Sequence, residues 1–72
     1  MKLKINGEVK NIENADAEFS IEGLLDDLGY KPQLVVVELN NAIINPKDWE
    51  NIKIKNGDCL EIVTIVGGGS YS

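Results

Sequence analysis

A single short stretch of the chain has the apolar spacing of an α-helix, and it lies between two groups of strand-like segments. Four apolar residues in it recur at positions i, i+3, i+4 and i+7: Ile21, Leu24, Leu25 and Leu28. This spacing places them on one face of a helix. Ser20 can cap the first turn, and Gly29 is well placed to end the helix. Because Gly23 in its interior costs about 1 kcal/mol relative to alanine, we expect the helix to be stabilised by packing on a sheet.

The segment before the helix predicts a β-hairpin. Residues 1–5 alternate between apolar and basic side chains, and residues 9–12 are expected to form the return strand. Asn6 and Gly7 between them both tolerate positive φ, which two-residue hairpin loops require. Such a loop would place the apolar side chains of the first strand opposite charged residues. A bulge or a three-residue loop would shift the pairing by one residue and remove this mismatch, so the pattern leaves the register open.

Further strands are predicted after the helix. Residues 34–39, with the sequence LVVVEL, are typical of a central strand, and residues 42–44 predict a short one. Ile52 and Ile54 suggest a short edge strand. An Asn-Gly-Asp turn then leads into a final strand over residues 59–66.

The order of these elements predicts the fold. A helix that joins two strands of one sheet implies a right-handed crossover. One main helix on one face of a mixed four- or five-stranded sheet is an α+β fold with the β-grasp arrangement. We expect residues 1–66 to form this domain, with the last strand beside the first inside the sheet. Residues 67–72 are expected to form a flexible glycine-rich C-terminal tail.

Composition excludes several classes of function. The chain has 72 residues, enough for one domain. A net charge of −5 argues against nucleic-acid binding. Histidine is absent and there is one cysteine, so the commonest general base and a cysteine metal cluster are missing. No apolar run is long enough to span a membrane and no signal peptide is visible, which makes the cytoplasm the expected location.

The sequence gives little support for any catalytic residue. Cys59 has no histidine to activate it, so a structural thiol is the better interpretation. Asp26 and Asp27, with Glu22, are better explained as a solvated helix face than as a metal site. Trp49 is expected to close one end of the core. We therefore predict a protein that is not an enzyme, with no catalytic residue, no metal and no bound cofactor of its own.

The last strand carries a candidate docking site. Glu61 should face water, and strand alternation then places Val63 and Ile65 on the same side, with Leu60 and Ile62 toward the helix. Apolar residues on an open sheet face are either harmless exposed aliphatics or a docking patch for a partner. The pattern supports both interpretations equally.

Three glycines follow this strand: Gly67, Gly68 and Gly69. One interpretation of the glycines is a flexible linker or frayed end. The other is insertion of the tail into a partner, because a segment without side chains can enter a channel too narrow for other residues.

Nearly the whole chain resembles the ThiS family of ubiquitin-like sulfur carriers of thiamine biosynthesis. The similar segments are MKLKINGE, SIEGLLDDLGY, VVVELNNAIINPKDW and NGDCLEIVTIVGGG, and it is their order and spacing together that is specific. The resemblance implies that a ThiF-like adenylyltransferase activates the terminal glycine carboxylate with ATP and Mg²⁺. Sulfur from a persulfide donor then gives a thiocarboxylate, which supplies sulfur to a ThiG-like thiazole synthase. It aligns Gly68 and Gly69 with the family's terminal glycine pair, so Gly69 would carry the sulfur.

The end of the chain departs from the family pattern, because Ser70, Tyr71 and Ser72 follow Gly69. With them attached, Gly69 has an amide and no carboxylate. Either a protease removes these residues, or they are not native, or the chain does not act as a carrier. Two alternatives to the thiamine carrier follow: a molybdopterin-synthase small subunit with the same tail chemistry, and a non-covalent β-grasp adaptor whose tail is never activated.

Overall fold

The computed structural model describes residues 1–13, 15–16 and 18–65. The predicted tail over residues 67–72, and the end of the predicted domain at residue 66, lie outside the described residues. Five strands, one α-helix and two 3₁₀ turns follow one another along the chain: β1 (Lys2–Ile5), β2 (Glu8–Asn11), α1 (Ile21–Leu28), a turn (Pro32–Leu34), β3 (Val35–Leu39), β4 (Ala42–Ile44), a turn (Pro46–Asp48) and β5 (Cys59–Thr64).

The strands form one mixed sheet in the order β2-β1-β5-β3-β4. β1 and β5 are parallel, and the other neighbouring strands are antiparallel. The last strand therefore lies beside the first, inside the sheet, with α1 packed on one face, and the predicted β-grasp arrangement is confirmed. β3 is an interior strand as expected, although the middle position of the sheet belongs to β5.

The helix forms where its apolar spacing predicts. The Ser20 hydroxyl accepts a hydrogen bond from the Gly23 backbone N–H at 3.2 Å, and Gly29 ends the helix with φ of 82°. Ile21, Leu24 and Leu25 are fully buried and pack in one core cluster with residues of β1, β3 and β5. Burial of this stripe supplies the stability that so short a helix lacks alone.

The β1–β2 hairpin has a strict two-residue loop. Asn6 and Gly7 have φ of 52° and 83°, and Ile5 pairs with Glu8 while Lys4 pairs with Val9. The alternative of a bulge is therefore wrong. Two positive-φ residues match the twist of the flanking strands, and this turn geometry outweighs the mismatch of side chains. Its consequence is that Val9 is 71% exposed.

The predicted edge strand at Ile52 and Ile54 is also wrong. Only an isolated bridge joins Lys53 to Ser20. The Ile54 N–H donates to the Phe19 carbonyl at 2.8 Å, and the Ile52 carbonyl accepts from Ile21 at 3.1 Å. The backbone here pairs with the segment that enters α1, so it does not extend the sheet. Ile54 is buried between two exposed lysines, as in a strand. Its side chain nevertheless belongs to the core cluster that also contains the buried residues of α1.

Trp49 closes one end of the core, as predicted. It is 3% exposed, and its indole Nε1 donates to the Ile44 carbonyl at 3.1 Å. The final strand ends at Thr64 rather than at residue 66. Within the part of the chain that the structure describes, no helix is long and apolar enough to cross a membrane.

Candidate functional site

The two faces of β5 differ as the alternation predicts. Leu60 and Ile62 are buried against the core, at 0% and 5% exposed. Glu61 is exposed on the opposite side, and Val63 is 56% exposed there. We call this side, which α1 does not cover, the open face of the sheet. The strand that leads toward the glycines thus presents one apolar side chain to solvent.

Ile65 lies just beyond the end of β5 and is half-buried. Its backbone N–H donates to the Leu34 carbonyl at 2.6 Å, which holds the chain against the start of β3. Its side chain lines a groove shared with Val36, Pro46 and Trp49. Ile65 therefore borders the end of the sheet, whereas Val63 lies on the open face itself.

Neighbouring strands enlarge this apolar surface. Val36 of β3 is directly opposite Val63 and is 36% exposed, while Ile43 of β4 is 72% exposed. Val36 and Ile43 line a common groove. We call Val36, Ile43 and Val63 the open-face patch.

Two members of the patch, Val36 and Ile43, were not predicted from the sequence. Alternation within β3 could have identified Val36, since Val35 and Val37 point to the core. Ile43 needed the β3–β4 register, which places it opposite Glu38.

Asn6 fixes β5 beside β1. Its backbone N–H donates to the Leu60 carbonyl at 2.9 Å. Its side-chain Oδ1 accepts from the Ile62 N–H at 2.7 Å, and Nδ2 donates to the Ile62 carbonyl at 3.2 Å. The amide side chain thus substitutes for one further residue of β1 and extends the ladder along β5. The sequence identified Asn6 only as a turn residue.

Asn40 holds the opposite end of the same strand. Its side-chain Oδ1 accepts from the Cys59 N–H at 3.0 Å, and its own N–H donates to the Cys59 carbonyl at 2.8 Å. β5 is therefore fixed at its first residue by one turn and at Ile62 by another. This sets the direction in which the chain leaves the sheet.

The other candidate residues are placed as follows. Cys59 is a free, half-buried thiol at the start of β5. Glu22, Asp26 and Asp27 are exposed along α1. Among the described residues, no group of three histidine, cysteine or carboxylate side chains could share a metal ion. Gly67, Gly68 and Gly69 lie outside the described residues.

Comparison with known proteins gives consistent similarities. The sequence pattern of the ThiS family matches residues 3–69. A thiazole synthase of Paramagnetospirillum magneticum is 41% identical over 97% of this chain, and the chain spans only 21% of that protein. The sulfur carrier protein ThiS of Bacillus subtilis is 31% identical, over 93% of this chain and 98% of its own length.

A solved structure has the same fold. The crystal structure of a thiamine biosynthesis protein (ThiS) from Geobacter metallireducens superimposes with a TM-score of 0.81 and 28% sequence identity. The match covers 96% of this chain and 100% of the other. The family pattern, the relative matched along nearly its whole length and the shared fold agree: the chain belongs to the ThiS family.

Proposed function

We propose that this chain is a sulfur carrier of thiamine biosynthesis and that it carries sulfur as a thiocarboxylate on Gly69. The observation that carries the proposal is the family match, which begins in β1 and stops at Gly69. The names of the Bacillus and Geobacter proteins, a sulfur carrier and a thiamine biosynthesis protein, support it.

The proposed chemistry begins with activation of a poor electrophile. A ThiF-like adenylating enzyme joins a carboxylate oxygen of Gly69 to the α-phosphate of ATP and releases pyrophosphate, with Mg²⁺ offsetting repulsion between the anions. The terminal sulfur of a persulfide then attacks the carbonyl carbon, and AMP leaves. A thiol cleaves the S–S bond of the resulting acyl disulfide and is itself oxidised, which leaves the thiocarboxylate on Gly69.

Gly67 and Gly68 serve this reaction by their lack of side chains. The carboxylate has to reach a nucleotide that is bound inside the enzyme. A glycine segment can pass through a channel in which any Cβ would collide with the walls. The two glycines therefore insert the tail, and the folded domain stays outside.

The folded domain supplies the docking surface. We assign docking of the adenylating enzyme to Val63 and Ile65, which lie where β5 leads toward the glycines. Val63 is exposed without any packing role in the core, and Ile65 lines the groove at the end of the sheet. Apolar surface of this kind is typical of protein interfaces.

A thiazole synthase is the proposed acceptor of the sulfur. The Paramagnetospirillum magneticum protein of that name contains a region similar to nearly all of this chain, as about a fifth of its length. A second thiazole synthase, from Magnetococcus marinus, has the same relation, with 37% identity. A carrier-like region within a thiazole synthase supports direct transfer of sulfur from the carrier to the synthase.

Intact mass spectrometry tests the proposal with two chains. Each is incubated with the ThiF-like adenylating enzyme, ATP, Mg²⁺, a persulfide source and a thiol. The chain ending at Gly69 should gain the mass of one oxygen-to-sulfur exchange. The 72-residue chain should not, because Ser70 converts the Gly69 carboxylate to an amide. In the shortened chain, Gly68→Val should block the exchange while the fold is kept.

Two outcomes would contradict the proposal. If the 72-residue chain gains sulfur on Ser72 as readily as the short chain does on Gly69, the assignment of Gly69 is wrong. If neither chain gains sulfur although the enzyme binds both, the chain is a non-covalent adaptor.

A further inference from the structure

Two glutamates occupy opposed positions on the open face of the sheet. Glu38 of β3 and Glu61 of β5 are directly opposite in the antiparallel register. Both strands lie inside the sheet, so neither residue is on an edge strand. Directly opposite residues have Cβ atoms about 4.5–5.5 Å apart, and like charges at this distance are destabilising.

Nothing in the described part of the chain neutralises this pair. Its two ion pairs join Lys10 to Glu8 and Lys53 to Glu18. Lys4 lies on the same face, across from Cys59, but it forms no ion pair with either carboxylate. No hydrogen bond to the Glu38 or Glu61 carboxylate is found among these residues either. Two opposed glutamates on interior strands of the sheet thus have no cation paired with them among the described residues.

The carboxylate pair is bordered by the open-face patch. The next opposed pair along the same two strands is Val36 with Val63, and Ile43 lies opposite Glu38 on its other side. Repulsion between the carboxylates and exposure of three aliphatic side chains are two separate costs in the free domain. A partner that brings a cation surrounded by apolar side chains would relieve both.

We propose that Glu38 and Glu61 receive one arginine side chain of a protein partner whose apolar residues cover the open-face patch. The inference rests on the proposed function, which makes this partner the adenylating enzyme. An arginine fits because its planar guanidinium has five N–H donors and can bond two carboxylates at once. A second copy of the chain does not fit, since it would bring two more carboxylates to the same place.

The test substitutes Glu38→Gln, Glu61→Gln and both together in the 72-residue chain. Loss of repulsion should raise the melting temperature by about 2–4 °C. Loss of the ion pair should weaken binding to the purified ThiF-like enzyme by about tenfold or more. Binding of the double variant should also depend less on salt than binding of the unsubstituted chain. This combination, a more stable domain that binds less well, is not expected of residues with a merely structural role.

The matched control is Asp26→Asn with Asp27→Asn, which removes the same charge from the exposed side of α1. It should leave the dissociation constant unchanged. If it weakens binding as much as the glutamate pair does, overall charge and not a specific contact is responsible, and the inference is wrong.

Other outcomes overturn the inference in different ways. Unchanged binding by the double glutamine variant would overturn it while leaving the proposed function intact, because sulfur acceptance by the chain ending at Gly69 is measured separately. Stabilisation of the chain by Mg²⁺ or Ca²⁺ that the double variant abolishes would replace the arginine with a metal ion. If the unsubstituted chain does not bind the enzyme at all, the docking part of the proposed function fails and the inference fails with it.

Discussion

β5 and its neighbour β3 show two different surfaces on their two sides. Toward α1, Leu60 and Val37 are fully buried and belong to the core cluster. On the open face, Glu61 and Glu38 oppose each other beside the exposed Val63. One side is thus arranged as the core of a stable domain requires, while the other has two opposed acidic residues and an exposed aliphatic side chain. Alternate residues of one strand thus contribute to stability on one side, and we propose that they contribute to recognition of a partner on the other.

The largest loss of stability is expected for a substitution on the core side. Leu60→Ala removes a fully buried side chain and should lower the free energy of unfolding by about 3 kcal/mol. Val63→Ala, three positions later on the open face, should cost less than about 1 kcal/mol. Urea denaturation with linear extrapolation measures both. Equal costs would show that the two faces do not differ in the way described.

On the open face the main effect should be on binding. Val63→Asp should weaken association with the adenylating enzyme by about 2 kcal/mol and lower stability by less than about 1 kcal/mol. Val9→Asp is the matched control, since Val9 is exposed on the open face but lies on the far edge strand. Calorimetric titration of both variants should find weaker binding for Val63→Asp alone. Loss of binding in both variants, or in neither, would count against the assigned surface.

A smaller loss of stability is expected when the hairpin turn keeps its geometry but loses its side-chain hydrogen bonds to β5. Asn6→Gly keeps the positive φ but deletes the two side-chain hydrogen bonds to Ile62, so it should cost about 1–2 kcal/mol. Asn41→Gly at a φ of 73°, where the structure places no side-chain hydrogen bond, should change stability by only a few tenths of a kcal/mol. Thermal denaturation of the two variants makes the comparison. A similar loss in both would mean that the turn, and not the contact with β5, matters.

The smallest effect is expected at Cys59, which is half-buried at the beginning of β5. Cys59→Ala in the chain ending at Gly69 should leave sulfur acceptance nearly unchanged, because the sequence has no histidine to activate a nucleophilic thiol there. The mass-spectrometric exchange assay measures this directly. Loss of sulfur acceptance with the fold preserved would instead give Cys59 a chemical role.

Local signals made much of the fold predictable. The helix and its caps follow from Ser20, the apolar stripe and Gly29, all within ten residues of one another. The alternation of β5 is equally local, and it correctly separated Leu60 from Glu61 and Val63. The hairpin register was harder, because side-chain pattern and turn geometry favoured different answers and the turn decided it.

Features that depend on distant segments were not predictable from the sequence. Ile52 and Ile54 have the spacing of a strand, but their backbone hydrogen bonds go to Ile21, the first residue of α1, and to Phe19 just before it. The opposition of Glu38 and Glu61 appears only when the β3–β5 register is fixed. Gly69 is different again, since the glycine run alone is equally explained by a flexible linker and the proposed role of Gly69 rests chiefly on the family match.

Docking of the adenylating enzyme on the open face can be measured directly in solution. Methyl signals of the isotope-labelled chain are followed by NMR while the unlabelled enzyme is added. We expect signals of Val36, Ile43 and Val63 to shift or broaden first and most strongly, while those of Leu24 and Leu25, which are buried on the core side of α1, change little. Changes centred on α1 and its core contacts, with the open-face patch unaffected, would show that the enzyme does not dock on the open face.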